Sequence, residues 1–155
     1  MTFLAYPVPA VSGSLALVAF STGRIALAIV LSAFVASFTD WFFGGTLFHS
    51  KYMAYPEIWR QKPGDRAAEN AAVAWAMILG LLTSAAFVCA CLAFAISGYA
   101  HALEFAALIW LAVPLPLLIT NALFIKMHPL TVVAHSLGWL ARLVISGAAV
   151  GWLLS

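Results

Sequence analysis

A chain of 155 residues with 65% apolar and only 8% charged side chains falls far short of the quarter or so of charged residues that an ordinary soluble domain carries. Its net charge of +2 rests on few basic residues, which excludes the dense basic stripe of a nucleic-acid-binding surface. Such a composition belongs in a bilayer.

In chain order, residues 1–24 come first. Met1 to Phe20 is apolar but broken by Pro7, Pro9, Ser12, Gly13 and Ser14, and Arg24 separates it from the next run. This segment is expected to lie in the interface or to lengthen a tilted first helix. It lacks the basic n-region of a signal peptide, so retention is expected.

Residues 25–155 form the predicted membrane domain. A hydrocarbon core of roughly 30 Å needs about 20 helical residues, and four runs meet that length: Ile25 to Gly45, Ala71 to Tyr99, Ala102 to Ile125 and Leu130 to Leu154. Because lipid offers no partner to a backbone amide, each run must be a helix, and the shorter alternating strands of a barrel are missing from the sequence. The predicted fold is an all-α integral membrane bundle of four transmembrane helices, with a loop at about 46–70. Pro114 and Pro116 fall inside the third run, where each removes an amide donor, so a kink is expected there.

Orientation follows from the basic residues, which remain cytoplasmic when they flank spans. Lys51, Arg60, Lys62 and Arg66 lie in the first loop and Lys126 in the third, so both loops are expected in the cytoplasm and both termini outside; Arg24 alone opposes this. Within the first loop, Tyr52, Tyr55, Trp59 and Arg60 mix aromatic and basic character, which suits a lipid or partner interface. Asp65 is placed to cap the second helix, with Glu69 near its positive end.

Helices in lipid pack through small residues. Ala28, Ser32 and Ala36 mark one contact face, Ala76, Gly80 and Ser84 a second, and Gly147 with Gly151 form a GxxxG pair on helix four. That pair serves either packing within the chain or a dimer face, and the sequence leaves both open.

Ionisable groups inside spans normally face the bundle interior. Asp40, Asn121 and His135 lie at similar distances from the inner ends of helices one, three and four, and are expected to form one polar layer. Arg142 lies one heptad beyond His135 and shares its face. Its favoured counter-charge is Asp40; Glu104, or a lipid or cofactor anion, is the alternative. A carboxylate beside an imidazole suits a proton relay, and it suits equally a structural cluster that fixes helix register.

No metal site and no cofactor is expected. Cys89 and Cys91 are two apart on a helix and point to different sides, reading as buried free thiols, and no HxxxH or HxxEH pairing occurs. His49 and His128 belong to the same boundary. GxSxG, P-loop and GxGxxG motifs are missing as well, so an enzyme is not expected.

The run Asp40-Trp41-Phe42-Phe43-Gly44-Gly45-Thr46-Leu47-Phe48, with Asn121-Ala122-Leu123-Phe124 and His135 followed by Gly138-Trp139, resembles an uncharacterised bacterial family of small four-helix membrane proteins known as a domain of unknown function. The family pattern ends its first helix with Trp-x-x-x-Leu-Phe-Gly, whereas here Gly44-Gly45 precede Leu47-Phe48. The resemblance implies the fold and a bacterial inner membrane, and no activity. Two functions therefore stand as expectations. One is a non-enzymatic subunit or scaffold of a membrane assembly. The other is a homo-oligomeric small-solute or proton transporter or channel. The lipid bilayer and further membrane chains are the expected partners.

Overall fold

The computed structural model describes residues 22–52, 55, 57 and 64–155. The reading of residues 1–21, and those of Trp59 and Arg60, lie outside the described residues. Span one opens as α1 (Thr22–Asp40) and runs on as a π-helical stretch, Trp41–Leu47, followed by the short helix α2 (His49–Tyr52). Span two is α3 (Arg66–Ala93); α4 (Tyr99–Ala112) and α5 (Pro114–Phe124) share span three; α6 (Pro129–Leu153) is span four. Among the described residues, four helices are long and apolar enough to cross a membrane. The chain is a multi-pass, all-helical membrane protein.

Local chemistry sets the ends. Asp65 accepts the amide of Ala68 at 3.1 Å and caps α3, with Glu69 in the first turn where the helix dipole favours negative charge. At its far end α3 stops at Ala93 rather than running to Tyr99, because Ala95 adopts φ 54°. Ile96 then donates to the carbonyl of Cys91 at 2.8 Å and Ala95 to that of Leu92 at 3.2 Å. This is the paired closure of a Schellman cap, with alanine where glycine is usual. Gly98, at φ 78°, turns the chain into α4, so Tyr99 opens span three.

The expected kink is a full break. Val113 leaves helical geometry and Pro114 starts a new helix at its first turn, the position proline tolerates best. Without their N–H groups, Pro114 and Pro116 cannot satisfy the carbonyls one turn earlier. The indole N–H of Trp110 donates to the carbonyl of Ser136 at 2.9 Å, pinning the end of α4 to α6.

The most enclosed element is α6, and α1, α3, α4 and α5 all pack on it. Small side chains make this possible: Ala28, Ser32, Ala36, Ser84, Ala102, Ala106 and Ser146 are all buried. The GxxxG pair is consumed inside the chain. A Cβ added to Gly147 would stand 3.0 Å from the carbonyl oxygen of Ala102, and one on Gly151 would stand 2.8 Å from the Cα of Tyr99, so α4 lies directly against these two positions. By contrast, α3 and the α4–α5 pair diverge around a groove of about 450 Å³ lined by side chains such as Phe87, Ile109, Pro114 and Leu117. Of the two thiols only Cys91 is buried; Cys89 is exposed, because residues two apart on α3 face different sides.

Candidate functional site: an ion pair on the floor of a polar cleft

Asp40 is the last residue of α1 before the π-helical stretch. There the backbone closes one residue wider, as when Phe48 donates to the carbonyl of Phe43 at 3.0 Å. Widened turns of this kind recur at functional sites. This one leaves Trp41 and Phe42 exposed while Phe43 and Gly44 join Asp40 in facing a cleft. The cleft holds about 400 Å³, and His49 and Tyr52 of α2, Ala76 of α3, and Ala134, His135, Gly138 and Trp139 of α6 complete its wall.

Arg142 lies two helical turns along α6 from His135 and donates through Nη2 to Oδ2 of Asp40. The two partners differ in environment. The arginine side chain is 8% exposed and the aspartate side chain 43%. A carboxylate therefore reaches the cleft while its counter-cation stays in the protein.

Two glycines make room for this pair. The guanidinium occupies the space that a Cβ on Gly80 would fill, and Oδ1 of Asp40 would lie only 3.1 Å from a Cβ on Gly138. Arg142 Nη1 is buried and makes no hydrogen bond among the described residues. Further from the cleft, the Ser146 hydroxyl donates to Ser84 at 3.3 Å inside the core.

His135 meets Tyr52 edge to face, with ring centroids 5.2 Å apart. Both also line a smaller cavity of about 130 Å³ beside the cleft, together with Lys51, Tyr55, Met127, His128 and Thr131. Burial first, and the negative charge of Asp40 second, push the Tyr52 phenol up to about 12. A raised phenol pKa favours the protonated, folded form, so its contribution to stability is complete below pH 10 and fades as pH climbs from 10 towards 12. Tyrosinate absorbance is expected to show a late-titrating class that Tyr52→Phe removes; an unchanged titration curve in that variant would contradict the assignment.

Of the residues expected to share one layer, Asp40 and His135 line the same cleft and Asn121 does not, while Arg142 meets Asp40 as its expected counter-charge. Asn121 lies on α5, which packs on α6 and adjoins α4, whereas the cleft is walled by α1, α2, α3 and α6. Similar depth along a helix fixes no direction around it. Arg142 takes Asp40 rather than Glu104, which lies instead 3.5 Å from His101. The loop aromatics also part company. Tyr52 is tucked against His135, while Tyr55 lies under Lys126 at 4.7 Å. Lys126 in turn pairs with Glu57 at 3.0 Å. A backbone hydrogen bond of its own, followed by the bond from Lys126, lowers the Glu57 carboxyl below the usual range.

His49 and His128 face different cavities, on either side of the Tyr52–His135 contact. Among the described residues, no group of three His, Cys, Asp or Glu side chains converges on a metal position. The roles of Gly80 and Gly138 escape a reading of the polar residues. In the sequence Gly80 reads only as part of a small-residue contact face, and the one signal of Gly138 is its position a single turn before Arg142.

These features define a class: a four-span helical membrane protein with an ion pair on the floor of a polar cleft. The chain belongs to the family described as "Protein of unknown function (DUF1761)", whose model matches residues 27–151. No curated protein and no solved structure matches it.

Proposed function

We propose that this chain is a small-solute or proton transporter or channel of the bacterial inner membrane, with the Asp40–Arg142–His135 cleft as its site. The observation that carries this reading is a half-exposed carboxylate on the floor of a 400 Å³ cleft inside a membrane span, backed by a buried arginine. Charge at that depth is costly, and in membrane proteins it marks ion and proton pathways. A solute entering the cleft meets carboxylate oxygen, two imidazoles and a phenol. That lining offers acceptors and exchangeable protons, and so fits a proton or a compact solute rich in donors. Lys51 and Lys126 at this end support a cytoplasmic opening. Inward of the ion pair the packing is tight around Ser84 and Ser146, so passage calls for a second conformation or for further copies of the chain.

The test is flux through vesicles that contain the purified protein and a trapped pH indicator. Acidification after an external acid jump is expected to outpace that of empty vesicles. Asp40→Asn is expected to slow it by about tenfold, the rate equivalent of one charge-assisted hydrogen bond. Equal rates with and without protein, for protons and for small cations, would reject the pathway.

The accessory-subunit reading draws on the apolar groove between α3 and α4–α5. Co-purification of a stoichiometric foreign subunit in mild detergent would favour it.

A further inference from the structure

The smaller cavity lies at the membrane boundary. Lys51 follows the end of span one by four residues, and His128 immediately precedes span four. Headgroup phosphates lie at that level, and tyrosines such as Tyr52 and Tyr55 are typical of it. Among the described residues that line the cavity, none is acidic. Lys51 forms no ion pair among the described residues and supplies an ammonium with three donors.

His128 accepts the amide of Leu130 through Nδ1 at 3.1 Å, which leaves Nε2 to carry the ring proton as a donor. Thr131 provides the independent sign of a ligand. It is 7% exposed, it lines the cavity, and its hydroxyl makes no hydrogen bond among the described residues. A hydroxyl left unpaired on an otherwise buried side chain that lines a cavity is free to donate to a ligand oxygen there. The positive end of the α6 dipole adds to the field at the same place.

We infer that the cavity between α2 and the start of α6 binds a phosphate group, held by the Lys51 ammonium, the His128 imidazole N–H and the Thr131 hydroxyl. The phosphate belongs to an anionic lipid headgroup or to a soluble phosphate, since both present the same oxygens. At about 130 Å³ the cavity takes the phosphate and leaves the rest of a lipid outside, along the spans. This site is separate from the cleft, and its occupancy does not depend on any flux through the protein.

Native mass spectrometry of the full chain in mild detergent tests it, with phosphatidylglycerol and phosphatidylcholine offered in turn and inorganic phosphate as competitor. One phosphatidylglycerol per chain is expected to be retained in preference to phosphatidylcholine. Lys51→Gln, Thr131→Val and His128→Asn are each expected to weaken retention by about fivefold, the scale of one basic group acting near a surface. His128→Asn keeps a side-chain acceptor for the cap, and Thr131→Val keeps the shape, so Thr131→Val decides the matter if Lys51→Gln fails to fold. Displacement by inorganic phosphate would identify a soluble phosphate as the natural occupant, and resistance to displacement a lipid. Wild-type retention in both Lys51→Gln and Thr131→Val, or no binding of lipid or phosphate by the native chain, would overturn the site.

Discussion

Asp40→Ala is expected to destabilise the folded bundle by about 2–3 kcal/mol, less than the 3–5 kcal/mol typical of a fully enclosed ion pair because the carboxylate is 43% exposed. The loss comes from what is left behind. Arg142 stays 8% exposed in the middle of α6, with Nη1 already lacking a partner. Without Oδ2 its second terminal nitrogen is stranded too.

Arg142→Met is expected to cost less than Asp40→Ala, although it removes more atoms, because the carboxylate it strands already reaches the cleft and can be solvated there. The double substitution Asp40→Ala with Arg142→Met is expected to recover most of the larger loss. Reversible unfolding of all four proteins in mixed micelles measures the coupling. A value of about 1.5–3 kcal/mol is expected for a hydrogen bond between charged groups. Strictly additive losses would show that the pair contributes nothing beyond its separate side chains.

The same asymmetry bears on the functional proposal. An arginine paired at the surface could follow its solute, but a guanidinium lodged in the space that Gly80 leaves open cannot move far. Movement in the cleft must therefore involve the carboxylate, His135 or α2. The π-helical stretch that follows Asp40 is the natural place for such movement, since widened turns of this kind recur at functional sites.

Much of this was legible in the residues, for identifiable reasons. Lipid leaves an apolar segment no choice but helix, so the spans follow from length and composition and the start of span two from the Asp65 cap, whereas its end at Ala93 and the turn at Gly98 do not. The meeting of Asp40 with Arg142 follows from the cost of unpaired charge in a span, together with the heptad that sets Arg142 on the face of His135. Asn121 shows where such reasoning stops. Depth can be counted along a helix, but which flank of α6 receives span three depends on packing between Gly147–Gly151 and α4. No periodicity announces that choice.

The widened turn at Trp41–Leu47 was equally hidden. Its register is set by how α2 returns against α6, a tertiary effect, and Gly44-Gly45 are its only local hint. Tyr52 reads as an interfacial aromatic for the same reason, until the fold sets it beside His135.

Gly151→Ile is expected to cost about 3 kcal/mol, near the upper end of overpacking penalties. Its Cβ would fall 2.8 Å from the Cα of Tyr99, and that neighbour is backbone at the start of α4. A side chain could swing aside, whereas here a whole helix must move. Displacing α4 would also loosen Ala102 from Gly147 and strain the Trp110 bond to Ser136. Gly147→Ala shares that partner, so the two substitutions combined are expected to cost less than their sum. Because the face is consumed within the chain, light scattering is expected to give the same mass for Gly151→Ile as for the native protein. A variant that kept its unfolding midpoint and lost mass would instead put this face between copies, and α4 would then need another explanation for lying so close.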